Sequence, residues 1–175
     1  MMTKSFVTAI ALACAFGAAH AADAKRDVQQ LDSASVSMDK AIHMAEQEGN
    51  GKATSAKFKS EHKGAGAYDV SVLSNDGSKL MHYRLDAATG HITKAGNEPF
   101  KKVFTKLTPD EISGAQTSLT SAIDMAQQRA DGKAIEADVE HKGSAVRYDV
   151  KVAKSDGSTE RVKIDASTGH VASAE

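Results

Sequence analysis

The chain has 175 residues, with 22 Lys and Arg against 23 Asp and Glu, a formal charge of −1 and one cysteine. Acids and bases are interspersed and no stripe of Lys or Arg stands alone, so nothing here holds a phosphate backbone and no nucleic-acid partner is expected. A lone cysteine excludes an internal disulfide framework.

Residues 1–21, "MMTKSFVTAIALACAFGAAHA", combine a basic start at Lys4, an uncharged apolar run from Phe6 to Ala19 and the small-x-small site Ala19-His20-Ala21. This pattern predicts a secretory signal peptide removed after Ala21. The run is shorter than the roughly 20 residues a spanning helix needs, so no stable membrane anchor is expected. Cys14 follows Ala11-Leu12-Ala13 in a loose match to a lipoprotein signal, but the match starts with Ala and the apolar run continues beyond the cysteine. The cleaved chain has no cysteine, which suits a periplasmic or secreted protein that does without disulfides.

After an N-terminal segment at 22–36, the chain states one pattern twice. "SMDKAIHMAEQEGNGKATSAKFKSEHKGAGAYDVSVLSNDGSKLMHYRLDAATGHI" is matched by "SLTSAIDMAQQRADGKAIEADVEHKGSAVRYDVKVAKSDGSTERVKIDASTGHV", within repeats at 37–95 and 118–175. Each copy opens with a helix signal. Met38, Ala41, Ile42 and Ala45 follow the cap Ser37 at helical spacing, and Leu119, Ala122, Ile123 and Ala126 follow Ser118. Met44 and Met125 widen the two stripes as core filler.

The period then changes to two. Ala56 and Phe58, then Tyr68, Val70 and Val72, then Met81, Tyr83 and Leu85 alternate with polar residues. Copy two repeats this with Ala137 and Val139, Tyr148, Val150 and Val152, then Val162 and Ile164. Asp76-Gly77 and Asp156-Gly157 predict tight hairpins, and Thr89-Gly90 and Thr168-Gly169 predict turns into short final strands. The expected fold class is α+β: two repeated modules, each an N-terminal helix packed on a three- to four-stranded antiparallel sheet. Between them, residues 96–117 predict a structured, partly helical connector. Phe100, Val103, Phe104 and Leu107 recur at helical spacing, and Thr108-Pro109-Asp110-Glu111 reads as a helix start.

The "AI.MA" helix, the Tyr68-Asp69-Val70 strand, the Asp-Gly hairpin and the closing Asp-Ala-x-Thr-Gly (Asp86 to Gly90, Asp165 to Gly169) resemble the PepSY domain, and both copies carry all of them. The resemblance implies a non-catalytic function. Domains of that family occur in propeptides of thermolysin-like metallopeptidases, where they are associated with inhibiting the enzyme or assisting its folding. They also occur in stand-alone exported proteins, for which protease inhibition is proposed.

No nucleophile-and-base constellation, phosphate loop or zinc motif is legible, so no enzyme activity, catalytic residue or cofactor is expected. The repeated histidines His62, His91, His141 and His170 are the metal-ligand candidates, yet no metal site is assigned to them. The leading expectation is a binding protein that modulates a secreted or periplasmic peptidase, or another envelope protein, in trans. An envelope ligand-binding or sensory module is the alternative, and metal handling through the repeated histidines is a third, less favoured reading. The copies differ on their third strands: Met81, His82 and Tyr83 stand where Glu160, Arg161, Val162 and Lys163 follow in copy two. The expected partner contact is therefore on copy one, at Lys63, Met81, His82 and Tyr83.

Overall fold

The computed structural model describes residues 16–142 and 145–174, with side chains described for 24–141 and 145–174. Residues 1–15 of the expected signal peptide lie outside the described residues. Among the described residues, no helix is long and apolar enough to cross a membrane.

Helix α1 (Phe16–Ser33) takes in the end of the expected signal peptide and most of the segment at 22–36, for which no helix was predicted. Helix α2 (Met38–Gly49) begins at Ser37, whose side chain accepts from the Lys40 N–H, and ends at Asn50 in the left-handed region. Strands β1 (Gly51–Lys59), β2 (Ala67–Ser74), β3 (Lys79–Asp86) and β4 (Ile92–Pro99) follow. The connector folds as two short helices, α3 (Phe100–Val103) and α4 (Pro109–Ser113). The second carries the full reciprocal cap between Thr108 and Glu111. The pattern then repeats as α5 (Leu119–Ala130), β5 (Lys133–Lys142), β6 (Ala145–Ala153), β7 (Thr159–Asp165) and β8 (Val171–Ala174).

Among the described residues, the two sheets expected from the repeats are a single antiparallel sheet of eight strands, in the order β4-β3-β2-β1-β5-β6-β7-β8. The joint is β1 against β5, where Ala56 pairs with Ala137, Ser55 with Asp138 and Lys57 with Glu136. Ala56 and Ala137 are equivalent positions of the repeat, so a local two-fold axis passes through the seam. The halves meet as the subunits of a symmetric dimer do. Each half alone is small enough for its core to be marginal, and pairing through the first strands joins both cores.

Helices α2 and α5 cover one face of this sheet, across β1–β3 and β5–β7 respectively. Ile42, Tyr68, Val70, Val72 and Leu85 from one half and Ile123, Val150, Val152, Val162 and Ile164 from the other belong to one buried cluster. Phe100, Leu107 and Ile112 of the connector join that cluster, so the connector is packed rather than loose.

The symmetry extends upstream of the sequence repeat. Ile112 and Ser113 of α4 stand 81 positions after Leu31 and Asp32 of α1, the same offset as Ala137 from Ala56. Lys52 Nζ donates to the Ser113 carbonyl at 2.6 Å, and its counterpart Lys133 pairs with Asp32. Each helix preceding a repeat therefore packs on the opposite half: α4 against β1 and the Gly77 turn, α1 against β5 and β6. Ala24, Ile135 and Ala153, with Val28 and Leu31 alongside, form the small cluster under α1.

Candidate functional site

The motif Asp-Ala-x-Thr-Gly is a turn device. Asp86 Oδ1 accepts from the backbone N–H groups of Ala88 and Thr89 and from the Thr89 hydroxyl, at 3.0, 2.8 and 2.9 Å. Asp165 does the same with Ser167 and Thr168. These donors favour the ionised form, so the Ser167 hydroxyl and the turn N–H groups pull Asp165 down to about 2. Gly90 and Gly169 carry φ of 73° and 72°, a backbone that glycine adopts without strain. Each aspartate thus holds its turn through Oδ1. His62, His91 and His170 are exposed, His141 is partly buried, and among the described residues no three His, Cys, Asp or Glu side chains converge as a metal site.

The residues expected to make one contact surface are divided between the two faces of the sheet. Tyr83 is 3% exposed and lies with Met81 under the end of α2, where a Cβ on Gly49 would meet Met81 and Tyr83 carbons at 3.1 and 3.2 Å. His82 points to the opposite face, as alternation along a strand requires. Lys63 is exposed in the turn region between β1 and β2. The same segment reaches His82's face through Glu61, which shares Arg84 with Asp69.

On that open face, His82 lies within a hydrogen-bonded row: Ser71 Oγ is 3.0 Å from its Nδ1 and Glu98 Oε1 is 3.0 Å from its Nε2. Asp69, Arg84 and Ala95 complete a shallow cavity of about 320 Å³. The equivalent positions in the second half are Lys151 and Arg161, so the fold itself does not require the row. It escaped sequence reasoning because Glu98 reaches His82 only through β4, whose register shifts by one residue between His82 and Tyr83.

The second half carries a denser charge network on the same face. Asp149, 4% exposed, lies opposite Asp138 and is held by Arg161 at 3.0 Å and Lys163 at 3.4 Å. Burial first, then the charge of Glu136, push Asp138 from 3.8 up to about 6. The folded chain holds this proton more tightly than the unfolded chain, so ionising Asp138 as pH rises from about 4 to 6 lowers stability. The unfolding free energy from urea titrations should therefore rise between pH 7 and 5, by ~1 kcal/mol after solvent screening. Below that window it should fall as Asp76, Asp86, Asp156, Asp165 and Glu111, all held low by turn or cap hydrogen bonds, become protonated. An Asp138→Asn variant should lack the rise between pH 7 and 5 and keep the acid loss; an unchanged profile overturns the assignment.

Two further concavities lie at the joint between the halves and are related by the two-fold. One, of about 310 Å³, is lined by Glu46, Lys52, Ile112, Leu119 and Tyr148 among others. Its twin, of about 160 Å³, is lined at equivalent positions by Gln127, Lys133, Leu31, Met38 and Tyr68.

No curated protein matches the chain. Among solved structures, a crystal structure of a candidate lipoprotein from Clostridium difficile 630 has 15% identity and a TM-score of 0.50, covering 85% of this chain and 98% of that one. YpmB from Bacillus subtilis has 13% identity and a TM-score of 0.33, over 78% and 94%. At such identity the first likeness speaks to the fold alone. The model of the peptidase propeptide and YPEB domain matches residues 35–95 and again 118–175. The helix, hairpin and capped-turn elements described above fill both spans, and the chain belongs to the PepSY family.

Proposed function

We propose that the protein is an exported, non-catalytic binding protein built of two PepSY modules, and that it modulates a peptidase in trans. The observation that carries this reading is the double match to a domain described by its occurrence in peptidase propeptides. The signal-peptide pattern at residues 1–21 supports export to the periplasm or beyond.

Catalysis is disfavoured by the setting of Ser71. It sits mid-strand in β2, paired with Ser55 on one side and His82 on the other, so its backbone N–H belongs to the ladder and is not free to stabilise an oxyanion. The row Ser71–His82–Glu98 then serves as a recognition surface on copy one, with the exposed Lys63 as a second contact in the turn region between β1 and β2. Tyr83, buried under α2, supports β3 from behind rather than touching the partner.

The exported protein, expected by intact mass to begin at Ala22, should slow a thermolysin-like peptidase without being rapidly degraded. His82→Asp and Lys63→Glu should each weaken inhibition by about tenfold, a loss typical of a contact residue. Arg161→Ala should change it less. Absence of inhibition at high micromolar concentration across a panel of secreted metallo- and serine peptidases rejects the reading in favour of a ligand-binding module.

A further inference from the structure

The two clefts at the joint are built alike but completed differently, and one supplies the template for what the other binds. In the smaller cleft, Lys133 is neutralised by Asp32 from α1, with Leu31 beside it. In the larger cleft, Ile112 occupies the place of Leu31, but Ser113 stands where Asp32 would be and offers Lys52 only its backbone carbonyl. Among the described residues no carboxylate lies within ion-pairing distance of Lys52. The larger cleft has a volume of about 310 Å³ and the smaller about 160 Å³.

A second substitution changes the polarity of the wall. Gln127 Oε1 accepts from the Ala134 N–H at 3.1 Å in the smaller cleft, and Glu46 Oε1 accepts from the Ala53 N–H at 2.9 Å in the larger. Glu46 therefore keeps the structural hydrogen bond and adds a negative charge. Its other oxygen has only His43 Nδ1 at 3.6 Å, and a carboxylate has lone pairs for further donors. The larger cleft thus presents a cation lacking its carboxylate, an anion with spare acceptor capacity, and an apolar wall of Ile112, Ala115 and Leu119. The fold does not require the anion, because the twin cleft is built with Gln127 in its place, and the lysine common to both clefts is neutralised in only one of them.

We infer that the larger cleft is a binding site for a free α-amino acid with an apolar side chain. Lys52 takes its carboxylate where Asp32 serves Lys133, Glu46 takes its ammonium, and the side chain lies against Ile112 and Leu119. This goes beyond peptidase modulation and does not depend on it, since the site lies on the helix-covered side of the joint, away from the open face carrying His82.

The test is a titration of the ¹⁵N-labelled protein with L-leucine, N-acetyl-L-leucine and L-leucinamide, followed by backbone amide shifts. Leucine should produce saturable shifts at Lys52, Ala53, Ala115 and Leu119. The acetylated and amidated forms, each lacking one charge, should bind at least about tenfold more weakly. Lys52→Met should abolish saturation and Lys133→Met should leave it intact. Glu46→Gln, which installs the twin's residue, should remove the discrimination against N-acetyl-leucine. Lys52 is exposed, so its variant is expected to fold; an unchanged amide spectrum outside the cleft verifies this. Absence of saturable shifts, equal binding of all three compounds, or binding indifferent to Lys52→Met overturns the inference.

Discussion

Replacing Tyr68 with Ala should destabilise the whole protein by ~3 to 5 kcal/mol, the range for removing a large buried side chain. Tyr68 is fully buried, its ring packs on Phe58 with centroids 5.3 Å apart, and its hydroxyl donates to the Val36 carbonyl at 2.7 Å. Burial and the nearby charge of Asp39 push the phenol up to about 12, so it remains a donor across the accessible pH range. Tyr148 repeats the arrangement, donating to the Thr117 carbonyl at 2.6 Å. The two hydroxyls thus tether the chain just before α2 and just before α5 to the strands beneath. Tyr68→Phe isolates that tether and should cost ~1 kcal/mol, or somewhat more because the Val36 carbonyl loses its donor. Thermal unfolding checks both: a fall of ~10 °C or more for the Ala variant and a few degrees for Phe. An unchanged melting temperature for Tyr68→Ala would contradict the register of β2.

What could be read in the sequence is what local spacing dictates. The helical stripes, the caps at Ser37, Ser118 and Thr108, the alternation of Tyr68, Val70 and Val72, and the Asp-Gly turns each depend on neighbours within a few residues, and each appears where the spacing placed it. The seam could not be read in that way. Ala56 and Ala137 look like any small residues of half-buried strands, and nothing local says that their partners are one another. The helix α1 was hidden for a related reason. Beyond the expected cleavage site its larger apolar residues are only Val28 and Leu31, and with Ala24 they pack on Ile135 and Ala153 of the opposite half. Only the comparison of Lys133 with Lys52, and of Asp32 with Ser113, shows it to be the counterpart of α4. Three members of the expected contact set, Met81, His82 and Tyr83, are consecutive on one strand and so alternate between its two faces, which is why Tyr83 falls in the core while His82 faces solvent.

The seam gives the second large effect. Ala56 and Ala137 are both fully buried beneath the helices and directly paired, so there is no room or partner there for a charge. Ala137→Glu should cost at least ~3 kcal/mol, because an uncompensated carboxylate must either be buried or open the joint. Ala137→Leu keeps the site apolar and should cost ~1 to 3 kcal/mol through overpacking. Lys59→Glu, exposed at the end of β1, is the control and should be nearly silent. The decisive feature is the form of the transition. The halves share one buried cluster, the arms α1 and α4 are exchanged between them, and both clefts straddle the joint. Loss of the seam should therefore release Tyr68 in one half and Tyr148 in the other together, giving coincident near-ultraviolet and far-ultraviolet circular-dichroism curves at a lower denaturant midpoint. Two separated transitions in Ala137→Glu, with one half still folded, would mean that each half sustains its own core and that the seam merely tethers them. A single transition would mean that neither half holds without the other, and that whatever binds at the joint reports on the folding of both.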